Sequence, residues 1–398
     1  MNKPYDVCII GGLGHVGLPL GITFADKGLK VCLHDLDDKT GASVMNGKMP
    51  FVEYGASEIL KKVLKEKNLS YSSNPNSISM AKFVVITIGT PIDEFMNPKI
   101  GKFLEFIKNI KKYIDSSQTL IVRSSVAPGT CEQALKIIGS KSKWKIAYCP
   151  ERIVQGYAIK ELSKLPQIVS GFSKQAEDSA KKLFKKITNK IIVTSIKEAE
   201  MAKLFSNAWR YVQFALANQF FIISNEYGVD YNSIRSAMVE GYERASMLPG
   251  AGFAAGPCLL KDTMQLANTF QGGFNLGYSA MMVNEGLPNY IVEEIKKKYK
   301  LKGITVGILG MSFKAEIDDF RDSLSFKLRK ILLNNGSKVI CSDEYGLSNE
   351  FVSADEVINK AKFVIIAVPH KRYKKLKFKS DQLVVDLWNI SSHSNRLF

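Results

Sequence analysis

Short apolar runs, each the length of a strand, alternate along the first half of this chain with stretches whose apolar residues recur every three to four positions. The runs are Tyr5 to Ile10, Lys30 to Asp35, Phe83 to Ile88, Thr119 to Arg123, Lys145 to Cys149, Gln167 to Ser170 and Lys190 to Val193. Such runs, separated by helical patterns and short polar loops, predict a parallel doubly wound α/β sheet. From Lys197 the period changes. A helical pattern without Gly or Pro runs to Glu226, with Met201, Leu204, Phe205, Val212, Leu216 and Phe220 at its apolar positions. That spacing predicts core or interface burial, whereas Glu200, Lys203, Asn207 and Arg210 form a polar stripe on one face. Helical sequence continues to about Lys300, broken over 247–257. Ile304 to Leu309, Lys338 to Cys341, Phe363 to Val368 and Leu383 to Asp386 then predict a second, smaller α/β domain. The expected domains are 1–196, 197–299 and 300–398, the two α/β ends reading as a fold-level repeat.

Composition narrows the function classes. With 398 residues, 45% hydrophobic and 23% charged, the chain has ample core material for two or three globular domains. Its apolar runs are too short to span a bilayer, and Met1 to Cys8 carries no signal-peptide core, so no membrane insertion and a cytoplasmic location are expected. Six cysteines are scattered without C-x-x-C pairs or neighbouring histidines, which argues against a zinc site and a disulfide framework; no metal is expected. The net charge of +17 comes from lysines spread along the chain. It is not gathered into a nucleic-acid stripe, and it suits the attraction of an anionic small substrate.

The first helix start carries the most specific signal. A strand leads into Gly12-Leu13-Gly14-His15-Val16-Gly17, a helix and a second strand ending in Asp35. The glycines permit a tight turn that sets a pyrophosphate on the helix N-terminus, and an acid after the second strand binds the adenosine ribose hydroxyls. A carboxylate there would repel a 2′-phosphate, so NAD is the expected cofactor. Thr90, Ser125 and Glu151 come after three further strands, at the carboxyl rim where ligands of such sheets sit.

The second signal is Gly252-Phe253-Ala254-Ala255-Gly256-Pro257-Cys258-Leu259-Leu260-Lys261-Asp262. Small residues let a backbone approach a ligand closely, and a thiolate delivered from such a loop can attack carbon.

Together these residues resemble the UDP-glucose/GDP-mannose dehydrogenase family of nucleotide-sugar 6-dehydrogenases, nearly end to end. The resemblance rests on the glycine motif, Gly89-Thr90-Pro91, Ser125-Val126-x-Pro128-Gly129-Thr130, Pro150-Glu151, Glu200-x-Ala202-Lys203 with Asn207, the Cys258 loop, Phe313-Lys314, and Asp319-x-Arg321-x-Ser323. It implies an N-terminal Rossmann-like NAD domain, a central helical dimerisation domain and a C-terminal Rossmann-like UDP-binding domain. It also implies oxidation of a sugar C6 alcohol to the uronate in two hydride transfers, through a cysteine thiohemiacetal and thioester. By motif match Cys258 would be the nucleophile, Lys203 and Asn207 would stabilise oxyanions, and Asp262, Ser125 and Glu151 would serve water and proton transfer. Gly12, Leu13, Gly14, His15, Val16, Asp35, Thr90 and Arg321 would hold NAD; Arg152, Arg244, Gly252, Phe253 and Lys314 would hold the sugar nucleotide. A homodimer or larger homo-oligomer is implied through the central helix. UDP-glucose is the first substrate expected, then a UDP-N-acetylhexosamine and GDP-mannose. Cys149-Pro150-Glu151-Arg152 points to the N-acetylhexosamine branch, and Trp388 stands where many members carry arginine. A two-electron 3-hydroxyacid-type dehydrogenase and a basic nucleic-acid-binding protein are the competing readings.

Overall fold

The computed structural model describes residues 3–140, 142–270, 272–346 and 350–398. The chain divides into two compact units, Met1–Ser206 and Asn207–Phe398. The first is an eight-stranded sheet built from β1 (Tyr5–Ile10), β2 (Val31–His34), β3 (Leu69–Ser72), β4 (Ala81–Ile86), β5 (Thr119–Val122), β6 (Lys145–Tyr148), β7 (Gln167–Gly171) and β8 (Ile191–Val193), in the order β3-β2-β1-β4-β5-β6-β7-β8. The second unit holds a four-stranded parallel sheet of β9 (Thr305–Leu309), β10 (Lys338–Ser342), β11 (Phe363–Ile366) and β12 (Leu383–Asp386), in the order β10-β9-β11-β12. The fold is therefore the expected α/β arrangement at both ends, with helices Ile196–Glu226, Tyr231–Val239, Leu259–Thr269 and Asn275–Lys298 between them.

Helices pack on both faces of the first sheet, so its inner strands are buried on both sides. Val7 and Ile9 face one cluster with Leu18, Leu33 and Phe184, while Cys8 and Ile10 face another with Val84, Ile107 and Val122. This is why those strands read as continuous apolar runs rather than alternating ones. In the second unit, Val306, Ile308, Ile365 and Val385 share a cluster with Leu287 and Ile291 of the helix Asn275–Lys298.

Three details depart from the sequence pattern. β3 was not expected: Leu-Ser-Tyr-Ser has no apolar run because it lies at the edge of the sheet and is largely half-buried. β6 and β7 pair antiparallel, so the sheet is mixed rather than wholly parallel. β4 ends at Ile86, two residues short of the expected end, and Thr87 donates both its N–H (2.9 Å) and its hydroxyl (2.9 Å) to the Ile10 carbonyl, the hydroxyl also lying 3.1 Å from that of Gly11.

Candidate active site

β1 lies between β2 and β4, so the loops after β1 and β4 diverge and open a crevice at the carboxyl rim. A Cβ on Gly17 would sit 2.2 Å from the Gly11 carbonyl oxygen, and one on Gly12 would sit 2.9 Å from Leu33 Cα. These two positions therefore allow the helix to close on the strands. Gly14 is exposed, and its nearest obstacle is 3.5 Å away, which leaves the turn open to a ligand. Leu13 N donates to Asp35 Oδ2 at 3.1 Å and Leu36 N donates to Oδ1 at 2.8 Å, so the carboxylate is oriented beside the turn. The His15 ring packs on Phe51 with centroids 4.0 Å apart, and Val16 precedes the helix Gly17–Asp26. A glycine turn at a helix start beside an oriented carboxylate is the arrangement that suits a pyrophosphate and a ribose.

Further along the same rim, the Thr90 hydroxyl donates to the Ser125 carbonyl, tying those two loops together. Glu151 is buried. Its Oε1 accepts from Arg152 N (2.6 Å) and Ile153 N (2.9 Å), and its Oε2 pairs with Arg123. The Arg152 guanidinium donates to the Pro166 carbonyl within its own domain.

The long helix Ile196–Glu226 reverses the usual meaning of its pattern. Glu200, Lys203 and Asn207 of the polar stripe are buried, whereas Met201 (41%), Phe205 (52%) and Trp209 (58%) are exposed. Arg210 alone of the stripe points outward. Glu200 accepts from Gly129 N (2.7 Å) and Cys131 N (2.9 Å), capping the helix Thr130–Ile138 from a distant segment. Burial pushes its carboxyl above the ordinary value despite those two N–H donors. Lys203, one turn further on, is buried and has no hydrogen-bond or ion-pair partner among the described residues. An ammonium so placed is costly without an anion, which suits a ligand that carries or develops negative charge.

In the second unit, Cys258 is exposed and the other five cysteines are buried. It stands at the N-cap of the helix Leu259–Thr269, where the unpaired backbone N–H groups favour a thiolate. One turn in, Asp262 is completely buried; it accepts from Asn207 Nδ2 at 2.6 Å, and Lys261 Nζ lies 3.0 Å away in an ion-pair contact. Gly256, at φ +100°, has Phe313 on its Cα: an added Cβ would sit 2.5 Å from the ring. Gly256 N also donates to the Asp322 carbonyl at 3.1 Å, so the thiol loop is pinned to the turn that carries Arg321. Arg321 forks onto Asp319 through Nε (3.0 Å) and Nη2 (2.5 Å) and lies within electrostatic reach of Cys258.

At the far end of the loop, Gly252 exchanges two hydrogen bonds with the Asn218 side chain (2.9 and 3.0 Å) and packs against Trp388. Phe253 is buried in the core cluster of the second unit. Lys314 is half-buried after Phe313. Arg244 is exposed, its guanidinium 5.9 Å from the Tyr242 ring centroid. Thus Cys258, Asp262, Asn207 and Arg321 share one neighbourhood, as do the glycine turn, Asp35, Thr90 and Ser125, while Arg152 and Arg244 join neither. Sequence reasoning passed over Thr87, Arg123 and Asn218. A residue just past a strand end, or an arginine inside an apolar run, was the available signal.

Three domains of a single family match this chain in order: an NAD binding domain over residues 5–188, a central domain over 197–285 and a UDP binding domain over 307–393. The chain belongs to the UDP-glucose/GDP-mannose dehydrogenase family. A UDP-N-acetyl-D-mannosamine dehydrogenase from Methanocaldococcus jannaschii is 30% identical over 378 residues, covering 92% of this chain and 86% of that one. The structure of a UDP-D-ManNAc dehydrogenase from Pyrococcus horikoshii superposes with a TM-score of 0.89 at 27% identity, covering 97% and 96% of the two chains. The UDP-N-acetyl-mannosamine dehydrogenase Cap5O from Staphylococcus aureus gives 0.86 at 25% identity, covering 98% and 96%.

As a member of this dehydrogenase family, the chain is an NAD-dependent oxidoreductase acting on a CH–OH group of a nucleotide sugar. Among the described residues no helix is long and apolar enough to cross a membrane, and no cluster of His, Cys, Asp and Glu suits a metal ion. The UDP binding domain repeats the geometry of the NAD domain. Gly310 N donates to the Ser342 carbonyl (2.8 Å) as Gly12 N does to that of His34 (3.1 Å), and Met311 N donates to Asp343 as Leu13 N does to Asp35. The two copies differ in how the acid is covered. Asp343 is sealed under His370, whose Nδ1 accepts from Glu316 N (3.1 Å), which places the ring proton on Nε2, 3.3 Å from Asp343 Oδ2. Burial opposes ionisation of Asp343, but bonds from His370, Ser312 N and Tyr345 N outweigh it and hold the carboxyl below its ordinary value. That acid has both oxygens engaged within the protein.

Proposed function

We propose that this chain oxidises the C6 hydroxyl of a UDP-N-acetylhexosamine, N-acetylmannosamine first, to the uronate in two successive two-electron steps. The sugar is argued from the relatives named above and from Cys149-Pro150-Glu151-Arg152; UDP-glucose, the first expectation, gives way on that ground. The four-electron course is carried by one observation: a single exposed thiol at a helix N-terminus, with the buried Asp262–Asn207 pair one turn beneath it.

Bound NAD supplies the hydride acceptor for each step. After the first oxidation, the Cys258 thiolate adds to the aldehyde carbon, forming a C–S bond and an alkoxide. The Lys203 ammonium and the Asn207 amide stabilise that oxygen, charge and dipole being worth most where water is excluded. The thiohemiacetal carbon again bears a removable hydrogen, and its loss as hydride leaves a thioester. Water, oriented by Asp262 and Ser125, cleaves the thioester to carboxylate and free thiol. Arg321 and Lys314 serve the diphosphates of cofactor and substrate.

The exposed Met201, Phe205 and Trp209, each four residues apart, form an apolar stripe that a second copy of the chain covers in a homodimer. Cysteines that form no disulfide suit a reducing cytoplasm. The test is NADH formed per sugar consumed, measured over a panel of UDP- and GDP-hexoses. The reading expects two with UDP-N-acetylmannosamine and no uronate from Cys258→Ser; a ratio of one, or uronate release that survives Cys258→Ser, refutes it.

A further inference from the structure

The four strands of the second sheet are parallel, so their starts share one rim, opposite the rim that carries Gly310 and Asp343. The segments that lead into those starts, 296–304, 334–338, 359–362 and 377–382, hold ten lysines, no arginine and one acid, Asp381. Dispersed in sequence, these short stretches carry more than half of the chain's net charge of +17. The fold ties them together. Gly303 N donates to the Gly336 carbonyl (2.8 Å), Lys338 N to that of Ile304 (2.9 Å) and Lys362 N to that of Thr305 (2.9 Å), while Lys379 Nζ reaches the Asn359 carbonyl (2.6 Å). The Tyr299 ring packs on Phe363 with centroids 5.0 Å apart, which brings the end of the helix Asn275–Lys298 to the same rim. All ten lysines are exposed. Four of them pair with carboxylates. Lys298, Lys300, Lys302, Lys338 and Lys377 have no ion-pair partner among the described residues.

We propose that this lysine rim docks the protein peripherally on a bilayer surface that contains anionic lipid. Unpaired like charges gathered on one rim repel one another, and a negatively charged surface offsets that repulsion. The residue type favours a lipid surface. Lysine is a compact, hydrated point charge suited to a diffuse negative field, whereas arginine is the residue of bidentate phosphate and base recognition. No row of aromatic side chains accompanies these lysines, as stacking on nucleic-acid bases would require; Tyr299, 38% exposed, is a single ring of the kind that settles at a membrane interface. Among the described residues no helix can cross a membrane, so the contact is electrostatic and reversible. It also lies at the end of the sheet away from the turn that matches the NAD cradle, which leaves that turn open. The inference does not depend on which sugar is oxidised, or on the oxidation itself.

The test is flotation of the full chain with vesicles of phosphatidylcholine alone and with vesicles in which about one-third of the lipid is phosphatidylglycerol. Wild type should bind the anionic vesicles only, and its affinity should fall about tenfold or more between ~0.05 M and ~0.3 M salt. Saturating UDP should leave this binding unchanged. Each lysine near an anionic surface is worth roughly fivefold in affinity, so combining Lys300→Gln, Lys302→Gln, Lys338→Gln and Lys377→Gln should cost roughly 10²–10³-fold. The same charge change on the first unit, Lys61→Gln, Lys65→Gln, Lys102→Gln and Lys108→Gln together, should cost less than about fivefold. Both variants should melt within about 3 °C of wild type, because every change is at the surface. Equal binding to both vesicle types, equal losses in the two variants, or displacement by UDP overturns the proposal. A wild type that ignores anionic vesicles also overturns it, and retention on polyuridylate in that case assigns the rim to nucleic acid. NADH formation from a nucleotide sugar, measured without vesicles, tests the oxidation reading separately.

Discussion

Glu200 offers the most quantitative test of the fold around the site. It is fully buried on the central helix and accepts from Gly129 N at 2.7 Å and Cys131 N at 2.9 Å. Glu200→Ala strands both donors at the start of a helix. At about 1–3 kcal/mol for each buried unsatisfied donor, the gross loss is about 2–6 kcal/mol, offset in part by removing a desolvated charge. A net loss of about 3 kcal/mol in a unit of some 206 residues lowers its melting temperature by roughly 6–12 °C. The assay is calorimetric unfolding at several pH values. Burial raises the folded carboxyl above its unfolded value, so the folded state holds the proton more tightly. The stability this group contributes is therefore greatest below the unfolded pKa of about 4.3 and is lost as pH rises through the folded one. Glu200→Gln should flatten that part of the pH dependence. A melting temperature for Glu200→Ala within about 2 °C of wild type refutes the cap, as does an unaltered pH slope in Glu200→Gln.

Gly256→Ala forces a Cβ to 2.5 Å from Phe313 at φ +100° and should cost about 2–4 kcal/mol, seen as a lower unfolding midpoint of the second unit together with altered Cys258 alkylation. Arg321→Met removes a cation within electrostatic reach of Cys258 and raises the thiol pKa. Iodoacetamide labelling at pH 7, specific because the other five cysteines are buried, should slow about three- to tenfold, and an unchanged rate would show that Arg321 does not tune the thiol. Trp209→Glu places a charge on the exposed apolar stripe; light scattering should report a shift from dimer to monomer at micromolar concentration, and an unchanged mass would place the interface elsewhere.

Local sequence determined a good deal. Every strand but β3 was legible to within two residues, most of them because strands buried on both faces are apolar throughout. The glycine turn with Asp35 was legible because its chemistry is confined to about 25 contiguous residues. Only tertiary structure decided what the polar stripe on the central helix does. Period and spacing put Glu200, Lys203 and Asn207 on one face, but not which face is covered; packing buries that face and leaves Met201, Phe205 and Trp209 outside. Arg123 looked like the last residue of a strand, and its grip on Glu151 comes from a segment 28 residues away in sequence. Likewise Asp35 and Asp343 occupy matching strand ends, and only the approach of His370 from another loop makes one available and the other sealed. Periodicity is a property of neighbours along the chain, whereas the charge environment of a carboxylate or an ammonium is set by groups that the fold brings from elsewhere.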